Sequence, residues 1–329
     1  MRGMILAGGL STRLYPLTLA LPKPLVPVMD RPVVAHVIEY LRGYGVDEIA
    51  TNVHYFAEAV ERFIGDGSRW NVSIDYLREA ELMGSAGAVK QMAQMFDRTF
   101  VVIGCDDVTN VDLGAALRFH RSRDAEATIV LVEADDVEHY GVVIVDEDGR
   151  IREFQEKPKR GTERSKLANT GIYIFEPSVL DRIPAETFYD FGKQVFPQML
   201  AAGARFFGMR QRAYWCDIGT PREYRRVHFD ALAGKIRLSL DDGARIDGGV
   251  LIGPRARIAA GASIVAPVSV GNGSVIEADA TVQASLLWDN VTVGKGATVR
   301  DAILGRGFHV ASGDVISGGE HALEKPLPI

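Results

Sequence analysis

Hydrophobic and polar positions follow one rhythm over residues 1 to about 235 of the 329-residue chain. Short apolar runs of strand length alternate with longer runs whose apolar residues recur at helical spacing. Strands are predicted at GMILAGG, DEIATNV, VSIDYL and TFVVIGCDD, and helices at RPVVAHVIEYLRGYG, FAEAVERFIGDG and SAGAVKQMAQMF. The first helix is predicted to begin at Pro32 and to end at the glycines that follow it. This order of elements predicts an α/β layered domain.

A second rhythm replaces the first after residue 235, with an apolar residue at every sixth position. The series runs through Leu240, Ile246, Ile252, Ile258, Ile264, Val270, Ile276 and Val282, and after two five-residue steps it continues through Leu287, Val293, Val299, Leu304, Val310 and Ile316. A period of six fits neither an α-helix nor an ordinary alternating strand. It fits a three-sided β-solenoid in which each hexad forms one flat face. The pattern therefore predicts a parallel β-helix of hexapeptide repeats with about four coils.

Composition and charge narrow the classes of partner. A hydrophobic content of 47% and a charged content of 24% are those of an ordinary globular protein. The net charge of −6 argues against general binding to nucleic acid or to an anionic membrane, since either needs a basic face. No apolar run reaches membrane-spanning length, so no transmembrane helix is expected. Two cysteines are too few for a disulfide framework, so a location in the reducing cytoplasm is expected. Histidines and cysteines lack zinc-like spacing, so any catalytic metal should lie on oxygen ligands.

The candidate chemistry is concentrated in MILAGGLSTRLYPLTLALPKPL, which runs from Met4 to Leu25. A glycine-rich turn after a first strand typically binds phosphate, because its backbone N–H groups can approach an anion closely. Neither G-x-x-x-x-G-K-[ST] nor G-x-G-x-x-G is present, so a different kind of phosphate site is expected. The strand TFVVIGCDD ends in Asp106 and Asp107. Because ligands gather at the carboxyl ends of such strands, we expect the glycine-rich loop and these carboxylates on one rim.

Seven motifs follow one another along the chain: LAGGLSTRLYPLTLALPKPLVPV, GSAGAV, GCDD, YGVV, FQEKP, NTGIYIF and YWCDIGTP. Together with the hexad repeat they resemble the sugar-1-phosphate nucleotidyltransferases (nucleotide-sugar pyrophosphorylases), and more narrowly the GDP-mannose pyrophosphorylase-like branch with a C-terminal left-handed β-helix. The resemblance covers essentially the whole chain. It departs from the family pattern at Ser11 and at Cys105, where glycine is usual. It implies a Rossmann-like catalytic domain with a mixed, mostly parallel sheet over 1–235, a left-handed β-helix over 236–320 and a tail over 321–329.

The implied reaction joins a nucleoside triphosphate and a sugar 1-phosphate to give a nucleoside diphosphate sugar and pyrophosphate, by Mg²⁺-assisted in-line attack on the α-phosphorus. The resemblance assigns the catalytic roles to two cations, Arg13 and Lys23, and to two Mg²⁺ ligands, Asp106 and Asp217. It assigns nucleotide binding to Leu6, Ala7, Gly8, Gly9, Ser11, Thr12, Arg13, Lys23, Glu79, Gly84 and Gly87. It assigns sugar-phosphate binding to Tyr140, Gly141, Glu156, Lys157, Asn169, Thr170 and Trp215. Asp107 is expected to serve as a turn or supporting residue, and Cys105 and Cys216 as small buried hydrophobes.

The identity of the base is suggested by Glu79, which lies five residues before Gly84 where uridylyl- and thymidylyltransferases commonly have glutamine. A carboxylate can accept from both N1–H and the 2-amino group of guanine, so GTP is expected. The resemblance implies mannose 1-phosphate as the sugar. The alternatives are a glucose-1-phosphate uridylyl- or thymidylyltransferase, a heptose-phosphate guanylyltransferase, and a non-catalytic regulatory subunit of the same fold. A further alternative is a bifunctional enzyme with acyltransferase activity at His309 or His321 of the β-helix. A homo-oligomer is also expected. Stacking, self-association and a lid over the sugar site are the alternative structural roles of the β-helix.

Overall fold

The computed structural model describes residues 1–323, so residues 324–329 of the predicted tail lie outside the described part of the chain. The chain forms two compact units, each built from two stretches of sequence. The first unit contains Met1–Gly9 and Val37–Trp215, and the second contains Leu10–His36 and Cys216–Ile329. The predicted division at residue 235 therefore differs from this one, because residues 10–36 pack with the C-terminal part.

The helices and strands of residues 1–323 occur in the predicted alternation before the solenoid. The helices are α1 (Val33–Gly43), α2 (Ala57–Ile64), α3 (Gly84–Gln91), α4 (Leu113–Ser122), α5 (Phe196–Ala201) and α6 (Pro221–Leu232). The strands up to residue 217 are β1 (Arg2–Leu6), β2 (Pro27–Val28), β3 (Arg31–Pro32), β4 (Glu48–Val53), β5 (Ser73–Arg78), β6 (Phe100–Gly104), β7 (Asp107–Thr109), β8 (Ala127–Glu133), β9 (Val142–Val145), β10 (Ile151–Gln155), β11 (Leu167–Phe175), β12 (Phe206–Gln211) and β13 (Trp215–Asp217). Helix α1 begins one residue later than predicted, because Pro32 pairs with Pro27 in a hairpin.

The first unit is built on a mixed sheet. Strands β5, β4, β1 and β6 lie side by side and are parallel. Strand β11 runs antiparallel to β6, β8 and β9, and β8 pairs in parallel with β12. The mixed Rossmann-like sheet is thus confirmed, with its parallel part at the N-terminal strands. Because β1, β4 and β6 are parallel, their carboxyl ends share one edge, and the glycine-rich loop follows β1 at that edge.

Aromatic packing closes the core of the first unit on the side of β11 and α5. Phe175 and Phe191 stack with ring centroids 5.0 Å apart, and Phe191 and Phe196 stack at 5.8 Å. All three side chains are at most 1% exposed. Burying each such ring contributes on the order of 2 kcal/mol, so this cluster holds the segment before α5 firmly against the sheet.

The second unit contains the hairpin of β2 and β3, helix α6 and the solenoid. The solenoid strands are β14 (Arg245–Asp247), β15 (Val250–Ile252), β16 (Arg257–Ile258), β17 (Ser263–Val265), β18 (Val268–Val270), β19 (Val275–Ile276), β20 (Thr281–Gln283), β21 (Leu286–Leu287), β22 (Thr292–Val293), β23 (Thr298–Arg300), β24 (Ile303–Leu304), β25 (His309–Val310), β26 (Val315–Ser317) and β27 (Glu320–His321). From β15 onward they stack in parallel into three sheets. The predicted three-sided solenoid is confirmed, and it is consistent with the left-handed β-helix.

The two five-residue steps of the apolar series correspond to shorter coils. Val250 pairs with Val268, eighteen residues further on, whereas Leu286 pairs with Ile303, seventeen residues further on. The hexad positions from Val270 to Val310 are at most 2% exposed and form the solenoid core. The series itself begins too early in the prediction. Ile246 lies in β14, which runs antiparallel to β15, and its side chain is 45% exposed.

No helix within residues 1–323 is long and apolar enough to cross a membrane. Both cysteines are buried and neither forms a disulfide, as predicted for small hydrophobic residues. Burial raises the pKa of the Cys216 thiol, so the neutral form is favoured.

Candidate active site

The loop that follows β1 is fixed in the first unit by a buried polar side chain. The Ala7 N–H donates to Asn52 Oδ1 at 2.9 Å, and Asn52 Nδ2 donates to Glu79 Oε2 at 2.6 Å. A methyl group on Gly8 would lie 2.6 Å from Asn52 Nδ2 and 2.8 Å from Glu79 Oε2. Gly8 therefore lets the loop backbone lie against this pair, and Gly9 after it is exposed. Leu6, at the end of β1, accepts a hydrogen bond from the Cys105 N–H at 3.1 Å.

Glu79 itself is 7% exposed and is held from both sides. Its Oε1 accepts from the Met83 N–H at 3.0 Å, and its Oε2 accepts from Asn52. A carboxylate offers about four lone-pair sites, so these two bonds orient the group and leave acceptor capacity.

The start of helix α3 lies against the segment around Tyr189. Gly84 has φ of +76°, and a methyl group there would lie 2.4 Å from the Tyr189 carbonyl oxygen. The N–H groups of Ala86 and Gly87 both donate to that oxygen at 3.0 Å. Two of the four N–H groups that a helix leaves unpaired at its start are thereby satisfied within the chain. The glycines of GSAGAV are thus required for close backbone contact.

The carboxylates at the end of β6 divide into two environments. Asp107 is 5% exposed, and it accepts from the Gly104 N–H at 3.1 Å and from Trp215 Nε1 at 2.9 Å. It therefore supports the turn and the indole, which agrees with its predicted role. Asp106 is partly exposed, and a methyl group on Gly104 would lie 2.6 Å from Asp106 Oδ1.

A second cluster of the first unit gathers predicted sugar-site residues. A methyl group on Gly141 would lie 3.2 Å from Glu156 Oε2, and the Gly141 carbonyl accepts from the Asn169 N–H at 2.8 Å. Lys157 Nζ lies 3.8 Å from Glu156 Oε1 and its side chain is 60% exposed. Burial raises the pKa of Glu156, while Lys157 opposes the shift. Tyr140 meets Trp215 edge to face, with ring centroids 4.8 Å apart.

Thr170 is placed differently from the other predicted sugar-site residues. Its side chain is buried, with 2% exposed, and its hydroxyl donates to the Val130 carbonyl at 2.8 Å. The Ile172 N–H donates to the same hydroxyl, where the register of β11 shifts. The hydroxyl thus satisfies backbone groups at an irregularity of the sheet, and the structure gives it a supporting role.

In the second unit, the glycine-rich stretch continues through a left-handed residue. Ser11 has φ of 55° and ψ of 34°, the conformation for which the family's usual glycine is suited. Its carbonyl accepts from the Thr18 hydroxyl at 2.9 Å, and a 3₁₀ turn spans Thr12–Leu14. Thr12 and Arg13 are exposed on this turn.

Arg13, Lys23 and Asp217 converge in the second unit. Lys23 Nζ lies 3.2 Å from Asp217 Oδ1, with the two side chains 11% and 23% exposed. A methyl group on Gly219 would lie 2.8 Å from Arg13 Nη2 and 3.0 and 3.1 Å from the two Asp217 oxygens. The space beside Gly219 is therefore bordered by a guanidinium and a carboxylate. Such fixed charges can bind phosphate groups and a divalent cation.

Residues 1–323 contain no group of three or more His, Cys, Asp or Glu side chains that could hold a metal ion. Mg²⁺ is commonly bound by one or two carboxylates together with substrate phosphates, so such a group is not required. The Asp217 carboxylate beside the space at Gly219 supplies hard oxygen ligands of the kind that Mg²⁺ prefers.

Sequence reasoning missed two polar residues that organise the first unit. Asn52 connects the loop after β1 to Glu79. Asp190 accepts from the Ser85 hydroxyl at 2.9 Å and from the N–H groups of Gly192 and Lys193 at 3.0 and 3.3 Å. The signal for Asn52 is its position as a polar residue near the end of the apolar run EIATNV. The signal for Asp190 is the capping pattern of an Asp before Phe-Gly-Lys.

Comparison with known proteins supports the same interpretation of the motifs. The profile of the family Nucleotidyl transferase matches residues 2–234, and that of the GMPPB C-terminal domain matches residues 246–320. The chain is 35% identical to UTP--glucose-1-phosphate uridylyltransferase of Synechocystis sp., over 92% of this chain and 87% of that protein. It is 34% identical to mannose-1-phosphate guanylyltransferase 1 of Arabidopsis thaliana, over 93% and 86%.

A solved structure resembles the chain as well. HddC from Yersinia pseudotuberculosis, complexed with GMP-PN, aligns with a TM-score of 0.60 and 28% identity over 69% of this chain and 97% of that chain. Since the family profile covers residues 2–234 and the curated relatives align with nearly the whole chain, the predicted resemblance is confirmed. The chain belongs to the Nucleotidyl transferase family, as a sugar-1-phosphate nucleotidyltransferase with a GMPPB-type C-terminal domain.

Proposed function

We propose that this nucleotidyltransferase converts GTP and mannose 1-phosphate into GDP-mannose and pyrophosphate. The observation that carries the proposal is the convergence of Arg13, Lys23 and Asp217 beside Gly219. Two polyanionic substrates repel each other, so the reaction needs fixed positive charge and a carboxylate for a divalent cation at one place. The choice of substrates is supported by the mannose-1-phosphate guanylyltransferase relative and by the complex of HddC with GMP-PN.

The reaction needs no general base. The attacking oxygen belongs to a phosphate monoester, which is largely dianionic at neutral pH because its second pKa is about 6. It forms a bond to the α-phosphorus while the bond between that phosphorus and the bridging oxygen breaks, and pyrophosphate leaves with the bonding electrons. Arg13 neutralises the leaving phosphates, and its planar guanidinium can donate to two phosphate oxygens at once. Lys23 attracts the phosphates and is aimed by Asp217, 3.2 Å away.

Asp106 and Asp217 are the proposed ligands of Mg²⁺. The bound ion would supply charge neutralisation and a fixed orientation for the phosphates. Asp107 keeps Trp215 in place through its hydrogen bond to the indole, so it is not proposed as a ligand.

Glu79 is the proposed guanine-reading residue. Asn52 and the Met83 N–H hold its carboxylate in one orientation, so its remaining lone pairs are presented without further ordering. Gly84 and Gly87 are proposed to line the same nucleotide site. Uracil presents a donor flanked by acceptors and would gain less from this group.

Glu156 and Lys157 are the proposed sugar-phosphate contacts. Glu156 is held against Gly141 and Gly192, since a methyl group on Gly192 would lie 2.7 Å from its Oε2. It would accept hydrogen bonds from sugar hydroxyls, and the exposed Lys157 ammonium would hold the phosphate. Tyr140 and Asn169 are proposed to complete the pocket.

Glucose 1-phosphate and UTP are the second candidate pair of substrates, because the Synechocystis relative is named as a UTP--glucose-1-phosphate uridylyltransferase. It aligns with 92% of this chain, compared with 93% for the Arabidopsis guanylyltransferase. We also propose a cytoplasmic location, which suits two cysteines that form no disulfide, and a homo-oligomer.

Pyrophosphate release over a grid of GTP, UTP, dTTP and ATP against mannose, glucose and heptose phosphates tests the proposal. GTP with mannose 1-phosphate should give the highest kcat/KM. A higher value for UTP with glucose 1-phosphate would replace the proposed substrates by the second pair. Asp106→Ala and Asp217→Ala should each abolish release. Near-normal activity in either variant would remove that residue from the mechanism.

A further inference from the structure

Helix α6 carries two buried aromatic side chains that the proposed reaction does not use. Tyr224 and His228 lie one helical turn apart, with 0% and 1% exposed, and their rings meet edge to face at 4.8 Å. The Tyr224 hydroxyl donates to the Pro27 carbonyl oxygen at 2.5 Å, and His228 Nε2 lies 3.2 Å from the same oxygen. Burial lowers the pKa of His228 to about 3, so the neutral ring donates from Nε2. One backbone carbonyl thus accepts two side-chain hydrogen bonds.

Pro27 is connected to Lys23 by a short and restrained stretch of backbone. Lys23–Leu25 forms a 3₁₀ turn, and the Val26 N–H donates to the Lys23 carbonyl at 3.0 Å. Proline rings fix φ at three of the six residues from 22 to 27, namely Pro22, Pro24 and Pro27, so few backbone torsions of this segment remain free. A shift of the Pro27 carbonyl therefore moves the Lys23 backbone.

Helix α6 also begins just after Asp217, the residue that Lys23 contacts. Thr220 caps the helix, with its hydroxyl accepting from the Glu223 N–H at 3.2 Å and its carbonyl accepting from the Tyr224 N–H at 2.8 Å. These contacts form a closed circuit. Side chains of α6 donate hydrogen bonds to the Pro27 carbonyl, a short backbone segment connects Pro27 to Lys23, and the Lys23 ammonium pairs with Asp217, which lies just before α6. The distance between the Lys23 ammonium and the Asp217 carboxylate is set by this circuit.

The solenoid reaches the circuit through Trp288. This residue follows β21 at a corner of a coil, and it is 6% exposed. The backbone N–H of Trp288 donates to the Leu304 carbonyl at 2.9 Å, and the backbone carbonyl of Trp288 accepts from the Ser274 hydroxyl at 2.8 Å. Its ring meets Tyr224 edge to face, with centroids 6.3 Å apart. A residue anchored to the coils on both sides of its own thus packs on the side chain that holds Pro27.

We propose that Tyr224 is a positioning residue for Lys23, and that Trp288 makes the β-helix part of this support. The proposal rests on the proposed role of Lys23 in the reaction. It gives the solenoid a function in the catalytic domain's own chemistry: the coil that begins at β21 keeps the hydroxyl of Tyr224 against the Pro27 carbonyl, and thereby the ammonium of Lys23 in place.

Tyr224→Phe tests the proposal in the full-length protein, because it removes the hydroxyl and keeps the ring. We expect kcat to fall about tenfold, because a misplacement of about 1 Å can cost about 100-fold and the loss of one hydrogen bond should displace Lys23 by less, while KM for the sugar phosphate stays unchanged. In a Lys23→Ala background, the same substitution should lower kcat no further. Tyr40→Phe is the matched control, because the Tyr40 hydroxyl makes the same kind of bond, to the Val111 carbonyl at 3.0 Å.

Two results would overturn the positioning role. One is a Tyr224→Phe enzyme with wild-type kcat, and the other is an equal loss of kcat with and without Lys23. Trp288→Phe provides the second variant if Tyr224→Phe folds poorly, and its loss of kcat should likewise vanish in the Lys23→Ala background. A wild-type enzyme that releases no pyrophosphate from any substrate pair would overturn the proposed function instead, before any variant is compared.

Discussion

At the scale of single residues, the site is shaped by missing side chains as much as by those present. Methyl groups on Gly8, Gly192 and Gly219 would each lie within 3 Å of a polar atom of a proposed site residue. The sequence indicated glycines near a phosphate loop, but it could not indicate which side chains fill the space beside them. Those contacts come from residues distant in sequence, such as Asn52 beside Gly8.

Gly219→Ala is expected to separate the charges of the phosphate site while the fold is kept. The backbone at Gly219 does not have positive φ, so alanine is conformationally allowed there, yet its methyl group would displace Arg13 and Asp217. We expect kcat/KM for pyrophosphate release to fall about 100-fold with little change in Tm. Gly43→Ala is the control, since a methyl group there meets no described atom within 4 Å. Unchanged kinetics in Gly219→Ala would contradict the cluster's role.

Glu79→Gln is expected to reduce the preference for GTP over UTP by roughly tenfold, the effect of losing one good base contact. The amide replaces one acceptor oxygen by a donor, so one of the contacts to Asn52 Nδ2 and the Met83 N–H becomes repulsive. The ratio of kcat/KM values for the two nucleotides measures this preference. Equal losses with GTP and UTP would show that Glu79 only holds the loop.

At the scale of elements, the hairpin of β2 and β3 carries a partly buried acid, Asp30, at its turn. Burial raises the pKa of Asp30 to about 6, and the negative charge of Asp241 adds to this increase. The Asp241 N–H, which donates to Asp30 at 3.0 Å, and the positive charge of Arg31 both lower the pKa. Between pH 4 and 6 the folded protein therefore holds a proton that the unfolded chain has released. The contribution of this group to stability falls as pH rises through that range.

Asp30→Asn is therefore expected to raise Tm relative to wild type at pH 7.5, and to lose most of this advantage at pH 4.5. The amide removes the partly buried negative charge and can still accept from the Asp241 N–H. Thermal unfolding at the two pH values measures the difference. The exposed Asp247→Asn serves as the control, with no pH-dependent gain. The same gain at both pH values would contradict the argument.

The elements were predictable to the extent that their causes are local. Buried strands and the hexad coils follow from side-chain periodicity, and both were predicted. Strand β14 lies in the first solenoid sheet but runs antiparallel to β15, because Gly248 and Gly249, both at positive φ, reverse the chain after it. Ile246 keeps the six-residue spacing, so the spacing alone does not show this reversal. Helix α3 ends at Gln91, earlier than its apolar spacing predicts, and a 3₁₀ turn follows. Reversals and helix ends depend on contacts that periodicity does not contain.

At the scale of the whole molecule, a chain that ends at residue 244 is expected to be strongly destabilised. It loses Trp288 from the Tyr224 ring and Asp301 from Arg225, and it exposes a tyrosine that is fully buried. Exposing these aromatic surfaces should lower the free energy of unfolding by about 3 kcal/mol or more.

Thermal and urea unfolding of the shortened chain, compared with a chain that ends at residue 302, separates two causes. The longer of the two chains keeps both Trp288 and Asp301 and lacks only later coils. If both shortened chains lose the same stability, the loss comes from the solenoid alone, and the contacts to α6 contribute nothing measurable.

The second compact unit joins Leu10–His36 to residues from Cys216 onward, which are made much later than Leu10–His36, and this has a consequence for biosynthesis. At about 5 to 20 residues per second, the ribosome needs on the order of 10 to 40 s to add the stretch between them. During that interval the glycine-rich segment has left the exit tunnel, whereas its packing partners do not yet exist. The arrangement of charges around Gly219 therefore cannot form before residues 216–219 have been made, and a nascent chain arrested before them would have no means to assemble it.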